Sequence, residues 1–354
     1  MGKRGGYVFV MQEKRHWGRR IFLGILAAVA VLILGLFLAN MAINNRVELD
    51  SVTITVQNLP SDLENWSILV ISDLQGRELG SHQSALADTL KNVNVSCVVL
   101  CGDMVGKDGN VEPLLELLDL LPADKPKLLI TGDSDPDFTT GYAHESTSVY
   151  MDWALQAREH GATLLDEPVC ITRGSSNIWF VPEYMYSLNL DSMENAYSSR
   201  LESYSGQSLT ADQAADKRLC EYELNRIQRL KEVREGMTAK DIQVAVSHTP
   251  LTQSYVSTMF SWSEKSEYFS LRNASLILAG HYCGGNWRLP GKGAVYVSEL
   301  GWWPEDSLIE GKSMLNGIPQ YISPGLSANP AETLPGRVFN QPTATIVYLT
   351  ARMN

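Results

Sequence analysis

"SILVISDLQGRELG", residues 67–80, sets an uninterrupted apolar run, Ile68 to Ile71, directly before Ser72 and Asp73-Leu74-Gln75. Four consecutive apolar residues leave no face for water, so the run predicts a short strand covered on both sides. An acidic residue at the end of such a strand lies where open α/β sheets bind their ligands.

The same grammar repeats outward from this stretch. Further strands are expected near Val98–Cys101, Leu128–Thr131, Val244–Ser247 and Leu276–Ala279, with "VTITV" (52–56) before them and a last strand in "RVFNQPTATIVYLTA" (337–351). Between them "SHQSALADTLKNV" (81–93) and "EPLLELLDLL" (112–121) read as helices. Alternation of this kind predicts an α/β fold. Residues 187–240 turn polar and charged, and "RLCEYELNRIQRLKEV" (218–233) reads as a helix, so this stretch is expected to be an insertion or lid within a domain spanning 61–354.

Five of the apolar runs end in residues able to bind a metal. They lead to Asp73, to Asp103, to Asp133 (with Asp135 and Asp137 close by), to His248 and to His281. Each one alone is what a turn or a helix cap would also show. Together, at the same end of successive strands, carboxylates and imidazoles predict a shared site for a divalent cation such as Zn²⁺, Mn²⁺ or Fe²⁺.

This order of motifs resembles the calcineurin-like metallophosphoesterases, whose pattern runs D-x-H, G-D, G-N-H-E/D, a later H, and G-H-x-H. Here the motifs read "DLQ", "GDMVG", "GDSD", "SHTP" and "GHYCGG". The resemblance spans about residue 50 to the C-terminus. It is greatest to the membrane-linked or exported branch, through "GGNWRLPGKGAVYVSELG" (284–301) and the closing "YISPGLSAN" and "PGRVFNQP". It implies a β-sandwich flanked by helices and one or two metal ions. It also implies hydrolysis of a phosphate ester or diphosphate by metal-activated water.

Carried over residue by residue, the resemblance makes Asp103 the bridging aspartate. It assigns Asp103, Asp133, His248 and His281 to one metal position, with Asp133 giving a carboxylate where the family has an amide oxygen. The other position falls to Asp73, Gln75, Asp103 and Cys283, two of which replace histidines. Glutamine offers a weak neutral oxygen; a cysteine thiolate binds zinc well, at about 2.3 Å. Ser134 stands where the family has a histidine that assists the leaving group. Losing a general acid of that kind costs on the order of 10²–10⁴-fold in rate, and Asp135 or Asp137 is a candidate substitute donor.

Ile21 to Ile43 carries no charge, and about 20 apolar residues suffice to cross a bilayer. Lys3, Arg4, Lys14, Arg15, Arg19 and Arg20 precede it. The positive-inside bias therefore predicts a cytoplasmic basic tail (1–20), a single-pass anchor (21–43), a connector with the first strand (44–60) and an extracytoplasmic body in the cell membrane. A cleaved secretory signal is the rival reading; it exports the body equally. The whole chain carries a net charge of −11 although its first 20 residues are basic, so the body is acidic, which argues against nucleic acid as partner. The five cysteines are odd in number and form no C-x-x-C pair, so no disulfide framework is expected.

Two functions stay open at this point. One is a membrane-anchored phosphoesterase acting on a phosphorylated small molecule or a lipid-linked substrate. The other is a catalytically impaired relative that binds a ligand or partner at the cell surface. An unrelated exported binding protein requires all five strand-end matches to be coincidence.

Overall fold

The computed structural model describes residues 17–352, apart from 108, 145–146, 263–266 and 329–335. Most of the basic tail expected at 1–20 therefore lies outside the described residues. The chain divides into two units, residues 1–42 and 43–354. Within the first runs most of helix α1 (Trp17–Asn44), which buries none of its residues and is long and apolar enough to cross a membrane. At 1.5 Å per residue its 28 residues extend about 42 Å.

In the second unit the strands follow in chain order. They are β1 (Glu48–Thr55), β2 (Ser67–Ile71), β3 (Cys97–Cys101), β4 (Lys127–Ile130), β5 (Ala162–Leu164), β6 (Val169–Arg173), β7 (Ser176–Pro182) and β8 (Ile242–Val246). After these come β9 (Leu276–Ala279), β10 (Trp287–Leu289), β11 (Gly293–Val297), β12 (Gly301–Trp302), β13 (Gly311–Leu315), β14 (Ile318–Ile322) and β15 (Thr343–Thr350). The helices are α2 (Ser84–Leu90), α3 (Glu112–Leu120), α4 (Asp152–Glu159), α5 (Leu190–Ser203), α6 (Ala211–Gly236) and α7 (Gln253–Trp262).

Two six-stranded sheets carry the architecture, in the orders β1-β15-β2-β3-β4-β5 and β13-β14-β9-β8-β7-β6. Strands β2 to β5 run parallel, as do β7, β8, β9 and β14. Side chains alternate across each strand, and this explains the continuous apolar runs. Ile68 and Val70 face the second sheet, in one core with Phe180, Val244, Val246, Leu276 and Leu278. Leu69 and Ile71 face the other way, in a core with Leu114, Leu117 and Leu118 of α3 and Trp153 of α4. On the outer face of the second sheet, Ala245 and Ile277 pack against Val256 and Met259 of α7. The chain is thus the α/β sandwich flanked by helices that the motifs implied.

The polar stretch 187–240 holds α5 and α6. α6 opens with a capping box, in which Thr210 accepts from the N–H of Gln213 and the Gln213 side chain accepts from the N–H of Thr210. Ile227 and Leu230 of α6 join Leu190 of α5 in a small core with Val181, Met185 and Phe269.

Candidate metal centre

Because β2, β3, β4, β8 and β9 end at one edge of the sandwich, the residues following them converge there. Asp103 follows β3 and is 3% exposed. Its Oδ1 accepts the backbone N–H of Ser134 at 2.8 Å. Its Oδ2 accepts from Gln75 Nε2 at 2.6 Å and lies 3.4 Å from His248 Nε2. His248 Nε2 lies 3.2 Å from His281 Nδ1, and that nitrogen lies 3.2 Å from Asp133 Oδ2. Asp133 sits on the exposed rim.

The other nitrogen of each imidazole fixes its tautomer. His248 Nδ1 is 2.8 Å from the Cys101 carbonyl oxygen, and His281 Nε2 is 2.9 Å from Glu299 Oε2. Both partners only accept, so those nitrogens carry protons, which leaves His248 Nε2 and His281 Nδ1 as the ring atoms available to a cation. Four ligand atoms held at about 2.1 Å around one ion stand about 3.0–3.4 Å apart, and the three separations along this chain match. Asp133, His248 and His281 thus form one group of ligating atoms within 4.8 Å of one another, with Asp103 next to His248, and these residues fit a divalent cation. Asp73 lies beside them: Asp73, Asp103 and His248 form a second group of ligating atoms within 4.8 Å of one another. Asp73 Oδ2 accepts the His281 N–H at 3.2 Å, and Asp73 Oδ1 and Gln75 Oε1 are buried acceptors without a donor.

The electrostatics agree. Burial raises the Asp73 carboxyl above the usual range. Burial also pushes Asp103 upward, but His248 outweighs it and holds the group below its ordinary value. For His248, burial favours the neutral ring, while its bond to Asp103 and the charge of Asp73 reverse this and raise its pKa. A cation arriving here competes with that proton.

Backbone conformation is part of the site. Asp73, Gln75, Asp103, His281 and Cys283 all have φ between 53° and 79°, a region costly for residues other than glycine and concentrated at functional loops. The glycines of the motifs make room for the crowding. A Cβ on Gly132 would stand 2.2 Å from Asp103 Oδ1, and one on Gly102 would stand 2.7 Å from His248 Nδ1.

Three predicted residues are engaged differently from the expectation. Cys283 belongs to neither group of clustered ligating atoms among the described residues, and its Sγ donates to the His281 carbonyl oxygen at 3.5 Å. All five cysteines are thiols. Asp135, a candidate proton donor by sequence, instead accepts four backbone N–H groups through its carboxylate, from Met104, Val105, Gly106 and Gly132, at 2.8–3.1 Å. It therefore ties the loop after β3 to the loop after β4. Ser134 reaches Asp103 through its backbone N–H. Asp137 is exposed.

Two residues escaped the sequence reading. Glu299 lies between β11 and β12, inside the quoted 284–301 stretch, with no periodic signal to single it out. Asn340 is 2% exposed and donates to the Cys283 carbonyl oxygen at 2.8 Å. Arg337, three residues before it, donates to the carbonyl oxygens of Ser327 and Gln341. Burial holds that guanidinium down at about 10.

A search of curated proteins found no match. Among solved structures the chain is similar to phosphopantetheinyl hydrolase from Mycobacterium tuberculosis. The identity is 14%, covering 73% of this chain and 89% of that one, with a TM-score of 0.36. The family model for calcineurin-like phosphoesterase matches residues 67–284, the stretch that runs from β2 through the last metal-site loop and supplies Asp73, Asp103, Asp133, His248 and His281. The chain therefore belongs to the calcineurin-like phosphoesterase family.

Proposed function

We propose that the protein is a membrane-anchored, extracytoplasmic phosphoesterase that cleaves a phosphate ester or diphosphate, with a small phosphorylated molecule or a lipid-linked one as substrate. The observation that carries this reading is the chain of ligating atoms from Asp103 through His248 and His281 to Asp133, spaced for one cation. The apolar helix α1 and the basic residues before it support the anchorage and its direction. When bound, a divalent cation lowers the pKa of water toward neutrality and offsets charge on phosphoryl oxygens.

The chain's own residues do the rest. Cys101 and Glu299 orient the two imidazoles, and the Ser134 N–H holds Asp103 in place. Serine 134 cannot protonate a departing alkoxide near neutral pH. The substrates that suit this site therefore leave as weakly basic anions, as the phosphate half of a diphosphate or an acidic phosphodiester does.

The test is hydrolysis of an activated phosphodiester by the full-length chain in detergent with added Mn²⁺ or Zn²⁺. Turnover that disappears in Asp103→Ala supports the reading. The bond from Gln75 to Asp103 and the serine at 134 favour a second one, a metal-holding binding protein without turnover. Metal uptake with no hydrolysis of any phosphoester tried decides for that alternative.

A further inference from the structure

We infer that this chain holds one divalent cation, where the family pattern provides for two, and that Gln75 excludes the second ion. The inference rests on the metal-centre reading above and concerns how many ions that centre takes.

Three observations carry it. First, the two groups of clustered ligating atoms, Asp133–His248–His281 and Asp73–Asp103–His248, share His248. The Nδ1 of that ring is committed to the Cys101 carbonyl at 2.8 Å. One nitrogen remains, and an imidazole nitrogen has a single lone pair, so it ligates one ion. His248 therefore serves one position only, and the Asp73–Asp103 side must find its ligands without it.

Second, Gln75 engages the Asp103 oxygen that faces His248. Oδ1 takes the Ser134 N–H, and Oδ2 takes Gln75 Nε2 while facing His248. The amide N–H on Oδ2 supplies part of the charge compensation that a second ion would give. Gln75 is 5% exposed, and its own N–H donates to the Asp103 carbonyl oxygen at 2.8 Å. A Cβ on Gly106 would stand 3.1 Å from the Gln75 carbonyl, so the backbone beneath the amide is closely packed.

Third, Cys283 does not make up the loss. Its Sγ donates to the His281 carbonyl oxygen and stands outside both groups. Without it and without His248, a second ion would rest on Asp73, a shared Asp103 and the neutral side-chain oxygen of Gln75. Of these, Asp73 Oδ1 and Gln75 Oε1 are buried acceptors without a donor.

The experiment uses the full-length chain in detergent, stripped with chelator and reloaded with Mn²⁺. It reads metal per chain by elemental analysis and the lineshape by electron paramagnetic resonance. One ion per chain with the signal of an isolated Mn²⁺ is expected. Two ions per chain with a spin-coupled signal would overturn the inference while leaving the phosphoesterase reading intact. No bound ion would overturn the metal-centre reading itself. The double variant Gln75→His, Cys283→His is expected to take up a second ion and show the coupled signal. If it stays at one, the role given to Gln75 is wrong.

Discussion

Asp135→Asn separates a holding role from an acid–base role. The Asp135 carboxylate takes two N–H groups on each oxygen: Val105 and Gly106 on Oδ1, Met104 and Gly132 on Oδ2. Asparagine keeps one oxygen and turns an NH₂ toward the other pair of donors. Two bonds to a charged acceptor, at about 1.5–3 kcal/mol each, are lost. Burying a neutral amide in place of a carboxylate offsets part of this. Burial raises the pKa of Asp135, which is the sign of a charge that is costly to keep dehydrated. The net expectation is a loss of about 2–4 kcal/mol. Urea unfolding of the full-length chain, followed by tryptophan fluorescence, measures it. The exposed Asp137→Asn serves as control and should stay within about 0.5 kcal/mol of the parent. If Asp135→Asn is as stable as the control but loses turnover, the holding role is refuted and the proton-donor role is reinstated.

Three further outcomes are expected. Glu299→Gln keeps the side-chain shape but weakens the grip on His281, and metal affinity in a binding isotherm should fall about 10–100-fold. Phe180→Ala opens a void between the sheets at a fully buried position, and denaturant unfolding should show a loss of about 3–5 kcal/mol. Glu183 accepts the Tyr255 hydroxyl at 2.7 Å, and burial raises its pKa above 4.5. Its contribution to stability is thus present at low pH and lost as pH rises through the raised value. The melting temperature of Glu183→Gln relative to the parent should accordingly climb as pH rises from about 4 through the raised value, and a flat or falling difference contradicts the sign.

The strands that lead to the candidate site were legible for one physical reason, whereas β5–β7 and β10–β14 were not singled out. A strand buried on both faces must be apolar along its whole length, so its end shows as an abrupt change, and Asp73, Asp103, Asp133, His248 and His281 all stand at such changes. What did not show was anything decided by side-chain direction or by chain segments far apart. The spacing of "GHYC" puts Cys283 at the ligand position of G-H-x-H, yet the thiol turns to the His281 carbonyl. Asp135 looks like one more acid in an acidic loop until four N–H groups are found around it. β1 pairs in parallel with β15, Glu48 opposite Thr343, and no local pattern announces a partner so distant. Glu299 reaches His281 only because the small β10–β11–β12 sheet folds back over the metal-site edge.

The left-handed backbone at Gln75 and Cys283 lies beneath side chains that differ from the histidines of the family's motifs. Its φ values, 57° and 53°, are set by the path of the loops and their hydrogen bonds, as when the Gln75 N–H meets the Asp103 carbonyl. The loops therefore act as fixed sockets, and the side chains as interchangeable inserts. Substitution at 75, 134 or 283 therefore changes the chemistry these loops present while leaving the hydrogen bonds of their backbone available, as in the Ser134 N–H that Asp103 accepts.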